Sequence, residues 1–257
     1  MTDFAVVIPC RYASTRLPGK PLREINGKPM LEHVHARAVE SSAGEIVVAT
    51  DDDRIATAAE GFGARVCLTR EEHRSGTDRI AEVCDQLGWD DDRIVVNLQG
   101  DEPTMPAALI DQCAGLLGDR FADIATLASP LESARDLGNE NVVKVVVDRA
   151  GNAIYFSRAA IPFERSGHGS HDALSIALHH HGIYAYRCGV LRRFVATEPA
   201  PLELCEQLEQ LRALYLGMTV RVGVPVQRPG AGVDTEEDLL AAGQALAAWP
   251  ERSGQSG

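Results

Sequence analysis

The chain has 257 residues and sets 25 Lys and Arg against 37 Asp and Glu, a formal net charge of -12, with a mass of 27.7 kDa and a sequence pI near 5.1. That length supports one large α/β domain or one domain with a small appendage. The negative field disfavours nucleic acid and anionic membrane surfaces as partners. The opening MTDFAVVIPC has no basic segment leading into a long apolar run, and no stretch approaches the roughly 20 apolar residues of a membrane span. A soluble, cytoplasmic protein is therefore expected. The six cysteines (Cys10, Cys67, Cys84, Cys113, Cys188 and Cys205) contain no C-x-x-C pair, which argues against zinc and a disulfide framework and for reduced thiols.

In chain order, Phe4 to Ile8 reads as a buried strand, followed by the loop RYASTRLPGK and a helix near PMLEHVHARAVES. EIVVAT is a strand, Asp51 to Asp53 open a helix, and ARVCLT is a strand. GTDRIAEVCDQL carries Ile80, Val83, Cys84 and Leu87 at helical spacing, with Thr77 a candidate cap. RIVVNL is a strand that ends at Gln99-Gly100-Asp101-Glu102-Pro103. Alternation of this kind predicts a parallel sheet with crossover helices. From residue 141, NVVKVVVDRAGNAIYFSR reads as an antiparallel hairpin turning at Arg149 to Asn152. The Gly-, Ser- and His-rich stretch IPFERSGHGSHDALS follows, of a kind that tends to be functional or mobile. GIYAYR is a strand, PLELCEQLEQLRALYLG one amphipathic helix, TVRVGVPV a strand and DTEEDLLAAGQALAAW a closing helix. ERSGQSG, residues 251–257, reads as a frayed tail.

Arg11, Arg16 and Lys20 place three cations in the loop after the first strand. Ligands of open α/β sheets bind beyond the carboxyl ends of the strands, so these cations face the ligand crevice. Two guanidinium forks and one mobile ammonium suit a triphosphate. Cys10 adjoins Arg11, and a neighbouring cation can favour a thiolate, although a small packed side chain is the simpler reading. Asp101 stands at a comparable strand end, where Gly100 permits close backbone approach, and a carboxylate there suits magnesium. Asp234 is a second candidate carboxylate, or else the cap of the last helix, a task Thr235 could equally perform. Asp51 to Asp53 satisfy a helix dipole without a ligand. The run His179, His180 and His181 alternates faces along a strand and cannot converge on one ion. Neither G-x-x-x-x-G-K-[ST] nor G-x-G-x-x-G occurs, which weakens ATPase and nicotinamide-dependent reductase readings together.

The blocks FAVVIPCRYASTRLPGKPL, VVATDD, SGTDRIAEV, VVNLQGDEP, NVVKVVVD, FSRA, HGIYAYR, LEQLRALYLG and GVDTEEDL span nearly the whole chain. On these the chain resembles the 3-deoxy-D-manno-octulosonate cytidylyltransferase (CMP-Kdo synthetase) family. The resemblance implies a Rossmann-like, glycosyltransferase-A-like nucleotidyltransferase fold of three layers, with a mixed, mainly parallel sheet. It implies one domain over residues 1–250, within which 141–190 form a hairpin subdomain for acceptor binding and for homodimer formation. The activity implied is magnesium-dependent transfer of CMP from CTP to a keto-sugar acid, with release of pyrophosphate. Arg11, Arg16 and Lys20 then match triphosphate contacts, Ser75, Gly76 and Arg79 base and ribose contacts, and Asp101 and Asp234 the Mg2+ carboxylates. Gln99, Arg158, His180, Tyr184, Glu209 and Gln210 match the acceptor contacts. On their own chemistry, Glu209 and Gln210 fit a solvated helix face equally, Tyr184 a core aromatic and His180 a structural histidine. The chain departs from the family in Cys10, in Phe163 and in a shorter loop from Pro162 to Leu178. The last two adjoin the acceptor side, so another small acid such as a phosphonate is the alternative acceptor. A non-catalytic CTP-binding module is the alternative of another class.

Overall fold

The computed structural model describes residues 3–13, 17–118, 120–165 and 172–249. The chain opens with β1 (Phe4–Cys10), then a 3-10 turn at Lys20–Leu22 and a small hairpin of β2 (Glu24–Ile25) and β3 (Lys28–Pro29). There follow α1 (Met30–Val39), β4 (Glu45–Thr50), α2 (Asp53–Gly61), β5 (Arg65–Leu68), α3 (Gly76–Gln86), β6 (Ile94–Asn97) and α4 (Ala107–Gly115). The remainder comprises β7 (Ile124–Pro130), α5 (Ala134–Gly138), β8 (Lys144–Val147), β9 (Ala153–Ser157), α6 (Ala173–Ile176) and β10 (Leu178–Arg187). It closes with α7 (Cys188–Val195), α8 (Pro201–Glu206), α9 (Gln210–Tyr215), β11 (Val220–Gly223) and α10 (Glu236–Ala247).

The main sheet runs in the order β11-β7-β10-β6-β1-β4-β5. β1 pairs in parallel with β4 and β6, and β4 in parallel with β5. β10 is antiparallel to both β6 and β7, so the sheet is mixed but mainly parallel. The β8–β9 hairpin is attached through β10, and it turns where the sequence pattern places it. Every residue of β1 is buried, as a strand covered on both faces requires. Phe4, Val6, Ile8 and Cys10 enter one core, while Val7 enters the other with Ile80, Val83 and Cys84 of α3. Each such side chain contributes about 1.5–3 kcal/mol on burial.

Three local expectations change. α3 is capped by Ser75, whose hydroxyl accepts from the Asp78 amide, rather than by Thr77. Thr77, the second residue of α3, is buried, its hydroxyl donating to Glu209. The stretch expected as one helix from Pro201 to Gly217 is two, because Gln207 adopts a left-handed φ of 52° and closes α8. Leu208 can then enter the core, and Glu209 meets Thr77. β10 begins at Leu178 and so includes the three histidines. α4 and β7 are not among the elements the sequence pattern singles out.

A third, smaller core positions the loop that carries Lys20. It joins Leu17 to Ile25, Met30, Val233, Leu239 and Ala242. The loop after β1 and the segment preceding α10 are thereby held together, although more than 200 residues separate them. No helix among the described residues is long and apolar enough to cross a membrane.

Candidate active site

The β1 loop, the N-terminus of α3, the β6 end and the segment before α10 surround a cleft of about 310 Å³. Arg11, Lys20, Ser75, Gly76, Arg79, Gln99, Asp101 and Asp234 all line it. Arg16 lies outside the described residues. The sheet explains the convergence, since β1 and β6 run in parallel side by side and both release their loops at the same edge. The Val233 amide donates to the Asp101 carbonyl at 2.9 Å, which draws Asp234 beside Asp101.

Lys20 Nζ donates to Asp101 Oδ2 at 2.7 Å and to Asp234 Oδ1 at 2.9 Å. Burial works against the ammonium's charge, but Asp101 and Asp234 outweigh it and hold the Lys20 pKa above its ordinary value. The hydroxyl of Thr235 accepts from the Asp238 amide and caps α10. The cap is therefore Thr235, and the Asp234 carboxylate is turned to the cleft.

Two carboxylates that share one cation can share another. Magnesium is usually held by one or two carboxylates with phosphate and water completing the shell, and Asp101 with Asp234 offer that donor set. Among the described residues no group of three or more His, Cys, Asp or Glu is placed to form a metal cage by itself. Behind the pair, Glu102 carries a buried Oε2 without a hydrogen-bond partner. Burial, with Asp101 adding to it, pushes the Glu102 pKa up to about 8. Sequence reasoning passed over Glu102, whose only signal was adjacency to Asp101.

Gly100 has a different task from the one its position suggested. A Cβ there would lie 2.6 Å from Cys10 Sγ and 3.2 Å from the Pro9 carbonyl, so the small residue accommodates β1 rather than a ligand. Cys10 is buried, and burial pushes its thiol well up, so the adjacent arginine does not make it a thiolate. All six cysteines are free thiols.

Arg79 is buried, paired with Asp51 at 3.2 Å and bonded to the Thr69 hydroxyl. Asp52 caps α2 by accepting from the Arg54 amide. Asp51 is thus not a helix-opening acid but the anchor of a cleft arginine, a pairing visible only in three dimensions. His73 and Arg74 also line the cleft. His73 is bonded to Glu82, which also accepts from the Arg70 amide at 3.0 Å and from Gln86 Nε2 at 3.0 Å. Burial would raise the Glu82 pKa, but these donors outweigh it and hold it at about 2, against 4.5 ordinarily. A depressed carboxylate adds stability that is complete above its unfolded pKa and is lost as pH falls through the folded one. Glu82→Gln should therefore lower the unfolding free energy at pH 7 by roughly 2 kcal/mol. Urea melts should show the gap closing as pH falls from 4.5 towards 2; a gap independent of pH would refute the assignment.

The acceptor candidates border more than one cleft. Gln99 lines the first cleft. His180 lines a second, of about 930 Å³, between the β7 end, β10 and residues 224–232. Its ring meets the Thr126 hydroxyl at 3.0 Å, and burial pushes its pKa down to about 3, so it is neutral near pH 7. His179 and His181 share the opposite face, their rings 4.8 Å apart. Tyr184 lies 5.3 Å from His180, and burial pushes its phenol well up. Glu209 lines a third cleft with Ser75, Arg74 and Arg212, so it is no solvated helix residue; burial raises its pKa against the Thr77 bond. Arg158 is held by backbone carbonyls, donating to Glu206 at 2.9 Å and Glu140 at 3.0 Å. Gln210 is the half-buried first residue of α9.

An α/β sheet that gathers cations and paired carboxylates beyond its parallel strand ends, without a glycine-rich phosphate motif, is of the nucleotidyltransferase class. Comparison with known proteins agrees. The cytidylyltransferase family profile matches residues 5–220. A CMP:2-keto-3-deoxy-manno-octonic acid synthetase solved in complex with CTP is 40% identical, with 95% of this chain and 98% of that one covered and a TM-score of 0.87. The chain belongs to the cytidylyltransferase family. A cytidylyltransferase from Leptospira borgpetersenii shares the fold at 16% identity and a TM-score of 0.62, with 98% of this chain and 89% of that one covered. A 4-diphosphocytidyl-2C-methyl-D-erythritol synthase from Anaerococcus prevotii does so at 14% and 0.61, over 96% and 100% of the two chains.

Proposed function

We propose that the protein transfers CMP from CTP to the anomeric hydroxyl of 3-deoxy-D-manno-octulosonate, releasing pyrophosphate. The observation that carries this reading is the shared cleft of Arg11, Lys20, Asp101 and Asp234, in a chain 40% identical over 95% of its length to the synthetase solved with CTP. Arg11 and Lys20 bind the triphosphate, with Arg16 assigned to the same task from sequence. Ser75, Gly76 and Arg79 form the opposite wall, where the base and ribose lie, and the Asp51 pair fixes the Arg79 guanidinium. Asp101 and Asp234 would hold Mg2+, which would supply Lewis acidity to the transfer. Lys20 and Arg16 stabilise charge gathering on the departing pyrophosphate, and catalysis is mainly positioning and electrostatics. Gln99, Arg158, His180, Tyr184, Glu209 and Gln210 are assigned to the acceptor from the family resemblance, and the His180 and Tyr184 rings already lie 5.3 Å apart.

The protein works in the cytoplasm as a homodimer built around residues 141–190 in this reading. Ile154 on β9, within that segment, is exposed, as are Leu204 on α8 and Tyr215 on α9. Pyrophosphate release should be measured with CTP and Mg2+ against 3-deoxy-D-manno-octulosonate and small phosphonates. Release with the sugar acid supports the assignment. Release with a phosphonate alone would transfer the chemistry to that acceptor, and CTP binding without any release would make the chain a binding module.

A further inference from the structure

Lys20 occupies an unexpected place for a triphosphate ligand. Its ammonium is spent on the two carboxylates assigned to the metal, bonded to one oxygen of each. The side chain is only 13% exposed, whereas those of Asp101 and Asp234 are 37% and 46% exposed. The ammonium therefore sits on the inner side of the pair, and the carboxylates remain open towards the cleft. Its backbone is held firmly. Gly19 turns the chain with a φ of 66°, its amide bonds to the Tyr12 carbonyl, the Lys20 amide bonds to Leu17, and Pro21 follows. What can move is the four-carbon stem, which carries a point charge with rotatable donors.

Charge makes that movement consequential. Asp101 and Asp234 stand beside the buried carboxyl of Glu102, and the Lys20 ammonium bonds to both of them. A divalent ion placed on the same oxygens would meet the ammonium within a few ångströms, and like charges at that range repel strongly in a partly buried site. A triphosphate in the cleft offers the ammonium other oxygens.

We propose that Lys20 is an exchangeable cation: its ammonium and a divalent metal compete for Asp101 and Asp234, and the nucleotide favours the metal by drawing the ammonium onto its phosphates. Metal and nucleotide thereby promote each other's binding through one side chain, and the coupling is reciprocal. The proposal rests on the reading of the cleft as a CTP and Mg2+ site.

Two measurements without turnover test it. In the first, Mn2+ binding to the protein alone is followed by electron paramagnetic resonance. Lys20→Met should bind Mn2+ on the order of tenfold more tightly than the wild type, a typical coupling factor. A larger rise in Tm with Mg2+ for Lys20→Met than for the wild type gives the same comparison and shows that the variant is folded. In the second, CTP binding is measured by calorimetry in EDTA. Asp101→Asn should bind CTP about tenfold more tightly than the wild type because the ammonium is released. In the Lys20→Met background the same substitution should give no such gain, which separates the exchange from simple loss of a repelling charge. Equal or weaker Mn2+ binding by Lys20→Met, or unchanged CTP binding by Asp101→Asn, overturns the exchange alone. Failure of CTP to bind the wild-type protein even with Mg2+ overturns the reading of the cleft as well.

Discussion

Asp101→Asn is expected to reduce pyrophosphate release by at least about a thousandfold, roughly 4 kcal/mol of transition-state stabilisation. The amide keeps the size of the carboxylate but carries no charge, so the cation site is left with Asp234 as its charged donor. Its NH2 also presents donors where the Lys20 ammonium presents its own. The fold should survive, because the side chain is 37% exposed and its pair with Lys20 is partly open to water. Loss of one negative charge also relieves Glu102 and Asp234. Circular dichroism and thermal melts should match the wild type within a few degrees, while a pyrophosphate-release assay shows the loss. Turnover at the wild-type rate would mean that Asp101 does not serve the metal.

The second large effect concerns stability. Lys144 is fully buried, and its ammonium donates to the carbonyls of Asn139 at 2.8 Å, Val142 at 2.6 Å and Arg158. Its three donors meet three backbone acceptors, which joins the turn before β8 to the end of β9. Burial lowers its pKa, showing that the charge is held at a cost. Lys144→Met would remove that cost but take the ammonium from three inward carbonyls; that of Asn139 keeps the Val142 amide, and each carbonyl left unsatisfied costs about 1–3 kcal/mol. The second effect is larger, and a net loss of roughly 3 kcal/mol is expected in urea denaturation. Because one acceptor is the Arg158 carbonyl, the variant should also raise the KM for the sugar acid more than that for CTP. Wild-type stability together with an unchanged acceptor KM would show that this ammonium holds nothing in place.

The structure gives several acids, and Lys20 among the cations, partners that no local pattern announces. Arg11, Lys20, Asp101 and Asp234 are legible because strand ends and their loops are local features that the sheet brings to one edge, whereas Ser75, Gly76, Arg79 and Gln99 are legible through the family resemblance. Asp51, which the local pattern places at a helix opening, anchors Arg79, and Thr77, which it offers as a cap, binds Glu209. Each of these partners lies on another element, and a local pattern carries no information about which element that is. The same limit applied to Gly100, whose neighbour is Cys10 rather than a ligand.

Hydrophobic periodicity and turn chemistry by themselves determined the alternating first half, the hairpin and the closing helix, since burial on a sheet face or helix stripe is written into residues two or three to four apart. The sequence also supplied the family resemblance and, with it, the chemistry. Only the tertiary structure decided that Thr235 caps the last helix while Asp234 faces Lys20, that the helix after Pro201 breaks at Gln207, and that Gln99, His180 and Glu209 line three different clefts. These outcomes depend on contacts such as Leu17 with Val233 and the Val233 amide with Asp101. Such contacts join residues more than a hundred positions apart, where chain packing rather than local preference sets the geometry.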